Sequence, residues 1–194
     1  MLLDKKFWKI KNITGKGRGI FAKKIIPAGR IVGDYIGKVL RTRDIDLATI
    51  KDNLFLMYYS NEASIYPDLN ISGIHLINHS CSPNSWIYTH RGHTLVFALR
   101  DIEPDEEITI DYLLPPTCRP GPCAHICECG SANCKGTFHL TESEFKKWRK
   151  FQNGIEKKDK KARIKYGETL KLLSNYPKRV LKSYIESTEL FLKT

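Results

Sequence analysis

Short apolar runs separated by glycines and polar turns fill most of the first 112 residues. The runs are rich in Ile, Val, Phe and Tyr and have the lengths of β-strands. They cover residues 7–13, 20–22, 25–26, 31–40, 54–59, 74–77, 85–88, 94–99 and 108–112. The turn at 90–93 predicts a hairpin between 85–88 and 94–99. Residues 44–53 lack glycine and proline and predict one short helix. The pattern predicts a mainly β body built of small sheets.

The periodicity becomes helical after a proline-rich break at Pro115-Pro116. Thr141 and Glu144 have the spacing of a capping box and precede apolar positions at 145, 148 and 151. A charged linker at 157–161 follows. Pro177 then separates two amphipathic segments, one ending near Tyr176 and one carrying apolar positions 180, 181, 184 and 185. We therefore expect an α-helical C-terminal region behind the β body.

Positive charge is concentrated in that C-terminal region. The chain has a formal net charge of +11, and residues 141–194 hold 15 basic and 7 acidic side chains. Such a region suggests an acidic partner, namely nucleic acid, an anionic membrane or an acidic protein face. A solvated helix surface explains the same surplus equally well.

Six cysteines are present, and the rest of the sequence indicates whether they are thiols that bind metal or form disulfides. No stretch approaches the roughly 18 apolar residues of a membrane span, and charge interrupts the apolar residues of the first nine positions. We expect a soluble protein in a reducing compartment, where thiols bind metals more often than they form disulfides.

Three of these thiols have the spacing of a metal site. Cys127, Cys129 and Cys134 are separated by one and then four residues, with Gly130 permitting a turn. They can converge on a soft tetrahedral cation such as Zn²⁺, which needs a fourth ligand. The residue types present leave Cys81, Cys118, Cys123 and His125 open as that ligand.

Three further motifs are weak taken one at a time. Residues 78–81, Asn-His-Ser-Cys, form a polar turn after an apolar run and suit the polar edge of a small ligand as well as a structural turn. Residues 15–19, Gly-Lys-Gly-Arg-Gly, allow close backbone approach to a ligand but lack the spacing of known phosphate loops. Residues 106–112 end a strand at Tyr112, a position that is more often packing than catalysis.

The order of the motifs changes this interpretation. Gly-x-Gly comes first, then Tyr35-Ile36-Gly37, the 78–84 motif, Glu107-Ile108-x-x-Asp111-Tyr112, and Cys-x-Cys-x4-Cys. Over residues 8–138 or so, this series resembles the SET-domain protein lysine methyltransferases. The resemblance implies a SET domain at 1–114 and a zinc-binding post-SET segment at 115–138, and the charge and helical periodicity add a basic helical region at 139–194.

The resemblance also implies a fold and a set of site residues. The fold is a β-clip in which the 78–81 and 111–112 segments cross in a knot-like active site. S-adenosylmethionine is the implied methyl donor, held by Lys16, Gly17, Arg18, Asn78 and His79. Tyr112 is the implied catalytic tyrosine and Tyr35 lines the lysine channel. The implied zinc ligands are Cys81, Cys127, Cys129 and Cys134, which leaves Cys118 and Cys123 without a role.

Some positions depart from the family pattern. Ile110 stands where Phe or Tyr is usual, and it has no hydroxyl to fix a water, so we expect room for di- or trimethylation. His75 replaces a common Arg, and Asn53 stands near where an aromatic residue often contacts the donor. Few residues come before the first predicted strand, so the chain is expected to resemble the compact bacterial or viral members.

The implied substrate is a lysine on a protein, with histone or histone-like tails as the leading hypothesis. The site of action would be the cytoplasm, nucleus or chromatin, including a host's nucleus for an effector. Two other functions compete: a non-catalytic zinc-stabilised module that binds nucleic acid through 141–194, and a thiol hydrolase using Cys81 with His79. The second is disfavoured because residues two apart in one turn are poorly placed as a nucleophile and its base.

Overall fold

The structure, a computed structural model, describes residues 1–45, 55–116 and 125–193. Four small sheets form the body. The strands are β1 Trp8–Ile13, β2 Gly17–Ala22, β3 Ile31–Asp34, β4 Lys38–Arg41, β5 Met57–Ser60, β6 Ala63–Tyr66, β7 Asn78–His79, β8 Ser85–His90, β9 His93–Ala98 and β10 Thr109–Ile110. The helices are α1 Glu142–Asp159 and α2 Lys182–Lys193, with short 3-10 turns at Thr42–Asp44, Ile74–Leu76 and Lys160–Ala162. The predicted mainly β body with C-terminal helices is confirmed.

Two hairpins and two three-stranded sheets make up most of the described body. β1 pairs antiparallel with β2, and β8 pairs with β9 through the predicted 90–93 turn. The three-stranded sheets have the orders β3-β9-β8 and β4-β6-β5. Side chains from both sheets, among them Val32 and Val96 from one and Val39 and Ile65 from the other, belong to one core.

One pairing joins distant parts of the chain. β7 and β10 run parallel, with Thr109 opposite Asn78 and Ile110 opposite His79. The amide of Ser80 extends this pairing by donating to the Ile110 carbonyl at 2.9 Å. Two segments about thirty residues apart in sequence are thereby fixed side by side in the middle of the body.

The apolar run at 31–40 forms two short strands. β3 and β4 belong to different sheets, and the chain bends between them at residues 35–37. A Cβ on Gly37 would lie 2.2 Å from the Tyr66 carbonyl oxygen, so only glycine permits this approach. The bend turns Tyr35 into the core, where it is buried.

The C-terminal region begins as predicted. The Thr141 hydroxyl accepts from the Glu144 amide at 3.3 Å, and the Glu144 carboxylate accepts from the Thr141 amide at 2.7 Å. This is the reciprocal capping box. Helix α1 continues through most of the predicted linker at 157–161 and buries Trp148 against Tyr58, with ring centroids 4.8 Å apart.

The predicted amphipathic helix ending near Tyr176 is wrong. Residues 163–181 hold no helix and instead run along two sheet edges. The Val39 amide donates to the Glu168 carbonyl at 2.9 Å, and the Ile31 amide donates to the Lys178 carbonyl at 3.1 Å. The backbone groups that a helix would pair internally are used on β4 and β3, the outer strands of their sheets. Leu170 and Val180 are buried there, so the region packs on the body.

Several sequence predictions concern residues outside the described ranges. These are most of the predicted 44–53 helix, Leu54 at the start of a predicted strand, Asn53, and the cysteines at 118 and 123. Within the described residues, no helix is long and apolar enough to span a membrane.

Candidate functional site

The pairing of β7 with β10 places Tyr112 against the Asn-His turn. The backbone amide of Tyr112 donates to Nδ1 of His79 at 3.2 Å, and its hydroxyl donates to the Ile77 carbonyl at 3.1 Å. Hydrogen bonds therefore fix Tyr112 both at its backbone amide and at its side-chain hydroxyl. Sequence reasoning brought these residues together only through the family resemblance.

Tyr35 lies near the same point. Its hydroxyl donates to the Phe55 carbonyl, and its ring is buried in the core against which Tyr112 packs. Burial raises the pKa of both Tyr35 and Tyr112 above the ordinary tyrosine range, and each is raised further by a neighbouring group, Tyr112 and Glu107 respectively. Both phenols are neutral near pH 7, so they act there as hydrogen-bonding groups and not as phenolate bases.

His79 is buried between the tyrosine and the cysteine cluster. Burial, assisted by the charges of Lys135 and Lys16, lowers the pKa of His79 to about 4. The ring is neutral at pH 7, and because Nδ1 accepts from Tyr112, its proton is on Nε2. Nε2 lies 3.3 Å from the sulfur of Cys81. The predicted site residue thus links the tyrosine to the cysteines.

Asn84, buried in the turn after Cys81, locks the crossing. Its side-chain oxygen accepts from the Thr109 amide at 2.9 Å, and its side-chain nitrogen donates to the Glu107 carbonyl at 2.7 Å. The sequence analysis did not predict this structural role, although Asn84 belongs to the 78–84 motif on which the family resemblance depends.

The glycine-rich turn lies beside Asn78. The Asn78 side chain donates to the Arg18 carbonyl at 3.2 Å and to the Glu107 carboxylate at 2.8 Å. Gly17 is exposed at φ +77°, and a Cβ there would meet nothing within 4 Å, so the backbone faces open space. The Lys16 ammonium lies 3.5 Å from the Cys129 carbonyl. Four of the predicted donor-binding residues, Lys16, Gly17, Arg18 and Asn78, thus lie along one edge of the body, whereas His79 is buried beneath it.

His75 stands next to this edge and is buried. Its ring packs edge-on against Phe55 with centroids 5.6 Å apart, and burial, aided by the charge of Arg18, lowers its pKa. Its Nε2 has no hydrogen-bond partner among the described residues. A buried neutral ring with an unused nitrogen suits a polar ligand at this edge.

The four predicted cysteine ligands meet in space. Their sulfurs all lie within 4.8 Å of one another, and the Cys127 sulfur is 3.7 Å from both the Cys81 and the Cys134 sulfur. Tetrahedral zinc with Zn–S bonds near 2.3 Å places its sulfurs roughly 3.8 Å apart. A disulfide needs about 2.05 Å. The arrangement fits zinc, with Cys81 as the fourth ligand that the resemblance implies.

The electrostatics of one thiol agree with this fit. Burial favours the neutral form of Cys129, but its sulfur accepts from the Cys81 amide at 3.5 Å and lies 3.1 Å from the Ser131 hydroxyl. These hydrogen bonds lower the pKa of Cys129, whereas burial raises the pKa of the neighbouring Cys127 thiol. A thiolate is the form that binds metal.

Phe138 is a site residue that the sequence analysis missed. Its ring centroid is 4.8 Å from that of His79 and 5.4 Å from that of Tyr112. It reaches this position because the cysteine segment folds back, with His139 bridged to Leu114. An aromatic residue shortly after the last cysteine was the available signal.

Comparison with known proteins agrees with this geometry. A family model described as the SET domain matches residues 17–113, and the chain belongs to the SET-domain family. The histone-lysine N-methyltransferase TRX1 of Oryza sativa subsp. japonica is 33% identical over 139 residues, which is 66% of this chain and 13% of that protein. A histone-lysine N-methyltransferase of Yarrowia lipolytica, H3 lysine-36 specific, is 34% identical over 134 residues, covering 62% of this chain and 17% of its own length.

A solved structure shows the same fold. The crystal structure of KRYPTONITE in complex with mCHH DNA, an H3(1-15) peptide and SAH matches with a TM-score of 0.54 and 27% identity. The match covers 68% of this chain and 29% of that chain. The chain spans between 3 and 17% of the length of the curated relatives it matches.

Proposed function

We propose that this protein transfers a methyl group from S-adenosylmethionine to the side-chain amine of a lysine in a protein substrate. The observation that carries the proposal is the position of Tyr112, held between His79 and the Ile77 carbonyl where β7 and β10 cross. SET-domain membership and the names of the similar proteins support it.

The chemistry asks for a neutral amine in line with a methyl group. A free lysine has a pKa of about 10.4 and is almost fully protonated at pH 7. A narrow apolar channel disfavours the ammonium form and exposes the lone pair. Because Tyr35 and Tyr112 are neutral, their role is to orient the amine and exclude water, and solvent takes the proton before the amine is buried.

S-adenosylmethionine, when bound, supplies an electrophilic methyl group on a sulfonium. The residues that would hold it are Lys16, Gly17, Arg18, Asn78 and His79. The open backbone at Gly17 and the unused Nε2 of His75 are the observations that fit a polar ligand there. Zinc bound by the four cysteines would hold the segment that carries Phe138 against Cys81 of the body.

Histone tails are the proposed substrate class. The relatives described as histone-lysine methyltransferases and the H3 peptide in the KRYPTONITE complex support this. Action in the nucleus or on chromatin follows from the same proposal. Incubation with labelled donor and separated core histones tests it, and labelling of none of them contradicts it.

The activity itself is tested with Tyr112→Phe. Removing the hydroxyl that orients the reacting groups is expected to lower kcat about 100- to 1,000-fold, the cost of losing one positioned transition-state contact. The measurement is methyl transfer to histones with excess donor. Tyr88→Phe, on the β8–β9 hairpin, is the matched control and retains activity. Equal activity in both variants contradicts the assignment.

The number of methyl groups added is a second part of the proposal. Ile110 is buried on β10, two residues before Tyr112, and carries no hydroxyl. We expect di- and trimethyl product from the wild type and a shift toward monomethyl product in Ile110→Tyr. Mass spectrometry of the peptide product at complete donor excess measures this. Ile110→Leu is the control, and monomethyl product from the wild type contradicts the proposal.

Nucleic-acid binding by residues 141–194 is a further, separable part. Lys146, Arg149 and Lys150 line one exposed groove along α1. The double variant Lys146→Gln, Lys150→Gln should weaken DNA binding. The slope of the logarithm of the binding constant against the logarithm of the salt concentration should fall by an amount that corresponds to about one to two phosphate contacts. The α2 variant Lys182→Gln should change neither quantity. The non-catalytic alternative predicts DNA binding but no heat of binding with S-adenosylmethionine in calorimetry.

A further inference from the structure

The chain behind helix α1 reaches the bend that carries Tyr35 from both sides. On one side, the Tyr176 hydroxyl donates to Oδ2 of Asp34, the residue directly before Tyr35, at 2.6 Å. On the other side, the Leu170 amide donates to the carbonyl of Gly37, which ends the bend, at 2.9 Å. Residues that are distant in sequence therefore contact the bend on either side of the tyrosine.

Asp34 is buried at the end of β3, and its carboxylate has few partners. Oδ2 also lies 2.7 Å from Nδ1 of His93, which donates because a carboxylate can only accept. Oδ1 is buried and has no hydrogen-bond partner among the described residues. A buried carboxylate that lacks a partner costs free energy, so the hydrogen bond from Tyr176 is important for where Asp34 lies.

The Tyr176 hydroxyl is oriented for this hydrogen bond. It accepts from the Leu173 amide at 3.0 Å, so its own proton is left for Asp34. Burial and the neighbouring carboxylate raise the pKa of Tyr176, so the hydroxyl keeps that proton at neutral pH. The Tyr176 ring stands edge-on to His93, with centroids 6.3 Å apart. Tyr176, His93 and Asp34 thus form one polar cluster behind the bend.

The backbone of the bend connects Asp34 closely to Tyr35. The Tyr35 amide donates to the Thr94 carbonyl of β9 at 2.9 Å, and the Ile36 amide donates to the Asp34 carbonyl at 3.1 Å. Tyr35 therefore lies in a tight turn that begins at Asp34, and its own side chain is buried in the core. A displacement of Asp34 moves this turn and the tyrosine that it carries.

We propose that Tyr176 is a positioning residue for lysine methylation, because through Asp34 it fixes where Tyr35 lies in the lysine channel. The inference rests on the proposed function, since it takes Tyr35 to line that channel. Tyr176 does not touch the reacting groups in this assignment and acts only on the turn that carries Tyr35. The C-terminal region thereby takes a part in catalysis that its positive charge does not explain.

Steady-state kinetics of the full chain test the proposal. Tyr176→Phe removes the hydroxyl and keeps the ring, and we expect kcat for methyl transfer to histones to fall about tenfold, because a displaced channel residue misaligns the amine and the methyl group. The donor affinity in calorimetry should stay within about twofold. The matched control Tyr166→Phe loses a hydroxyl that donates to the exposed Glu62 at 2.9 Å, and it should retain kcat. Equal kcat in the two variants overturns the proposal.

A spectroscopic measurement tests the positioning without reference to activity. With 3-fluorotyrosine at position 35 of the full chain, Tyr176→Phe should shift the ¹⁹F resonance and Tyr166→Phe should not. The same label at position 58, on β5, should be unchanged in both variants. An unchanged resonance at position 35, or equal changes at positions 35 and 58, overturns the proposal. A shift confined to position 35 in a protein that methylates no lysine contradicts the proposed function instead, so the two failures are distinguishable.

Discussion

The two sides of the candidate site are held by different forces. One side, the crossed strands β7 and β10, is fixed by backbone hydrogen bonds and buried aliphatic side chains. The other side, residues 125–140, is joined to the body by a cysteine cluster and single bridges such as Leu114 with His139. The position of Tyr112 therefore depends on the core, whereas residues 125–140 are held by a cysteine cluster that fits zinc and by backbone hydrogen bonds to Leu114.

Removing one cysteine ligand is the strongest way to separate the two sides. Cys127→Ser leaves three sulfurs around the metal, so the 125–140 cover should loosen and methyl transfer should fall at least about 100-fold. The far-UV circular dichroism spectrum should be unchanged, because no residue of the crossed strands β7 and β10 is a metal ligand. Calorimetry should show donor affinity reduced by less than about tenfold, since most donor contacts belong to the body. Unfolding of the whole chain by Cys127→Ser would contradict the comparison.

A substitution on the side of the crossed strands should weaken donor binding and leave the zinc content unchanged. A Cβ on Gly19 would lie 2.6 Å from the Glu107 carboxylate and 2.9 Å from the Asn78 amide nitrogen. Gly19→Ala should displace Asn78 and weaken donor binding about tenfold, roughly the loss of one hydrogen bond to a polar ligand. The zinc content should be unchanged. As control, Gly154→Ala meets no atom within 4 Å and should leave donor affinity intact.

Phe138 tests the contact between the two sides and carries the smallest expected effect. Phe138→Ala removes ring contacts with His79 and Tyr112 that are each worth about 0.5–1.5 kcal/mol. We expect KM for a histone peptide to rise about fivefold with kcat within twofold, because the ring packs on Tyr112 from the 125–140 side while the Tyr112 hydroxyl keeps its bond to the Ile77 carbonyl. Phe138→Leu should recover part of the loss. A fall in kcat with unchanged KM would instead place Phe138 at the reacting groups.

Local signals in the sequence were sufficient for part of the fold. The Thr141–Glu144 cap and the β8–β9 hairpin depend on residues close together in the chain, and both are confirmed. The order of separated motifs pointed to the family, and the family model bears this out. The roles of Tyr112, Tyr35 and the donor-binding residues stay predictions, as do the bounds of the three domains.

Other features depend on partners that are distant in sequence. The amphipathic pattern before Tyr176 resembles a helix, but the backbone there pairs with strands more than a hundred residues earlier. The same holds for Phe138, whose partners His79 and Tyr112 precede it by many residues. Periodicity cannot report such pairings, because it records only neighbours along the chain. The basic region packs on the body, where Trp148, Leu170 and Val180 are buried.

The segment at 163–181 has a consequence for the protein's behaviour in concentrated solution. An uncovered outer strand offers unpaired amides and carbonyls to strands of other molecules. By occupying the edges of β3 and β4 together, this segment removes two such templates at once. A chain shortened before residue 163 would then tend to precipitate as intermolecular β-structure, even where its catalytic centre stayed intact.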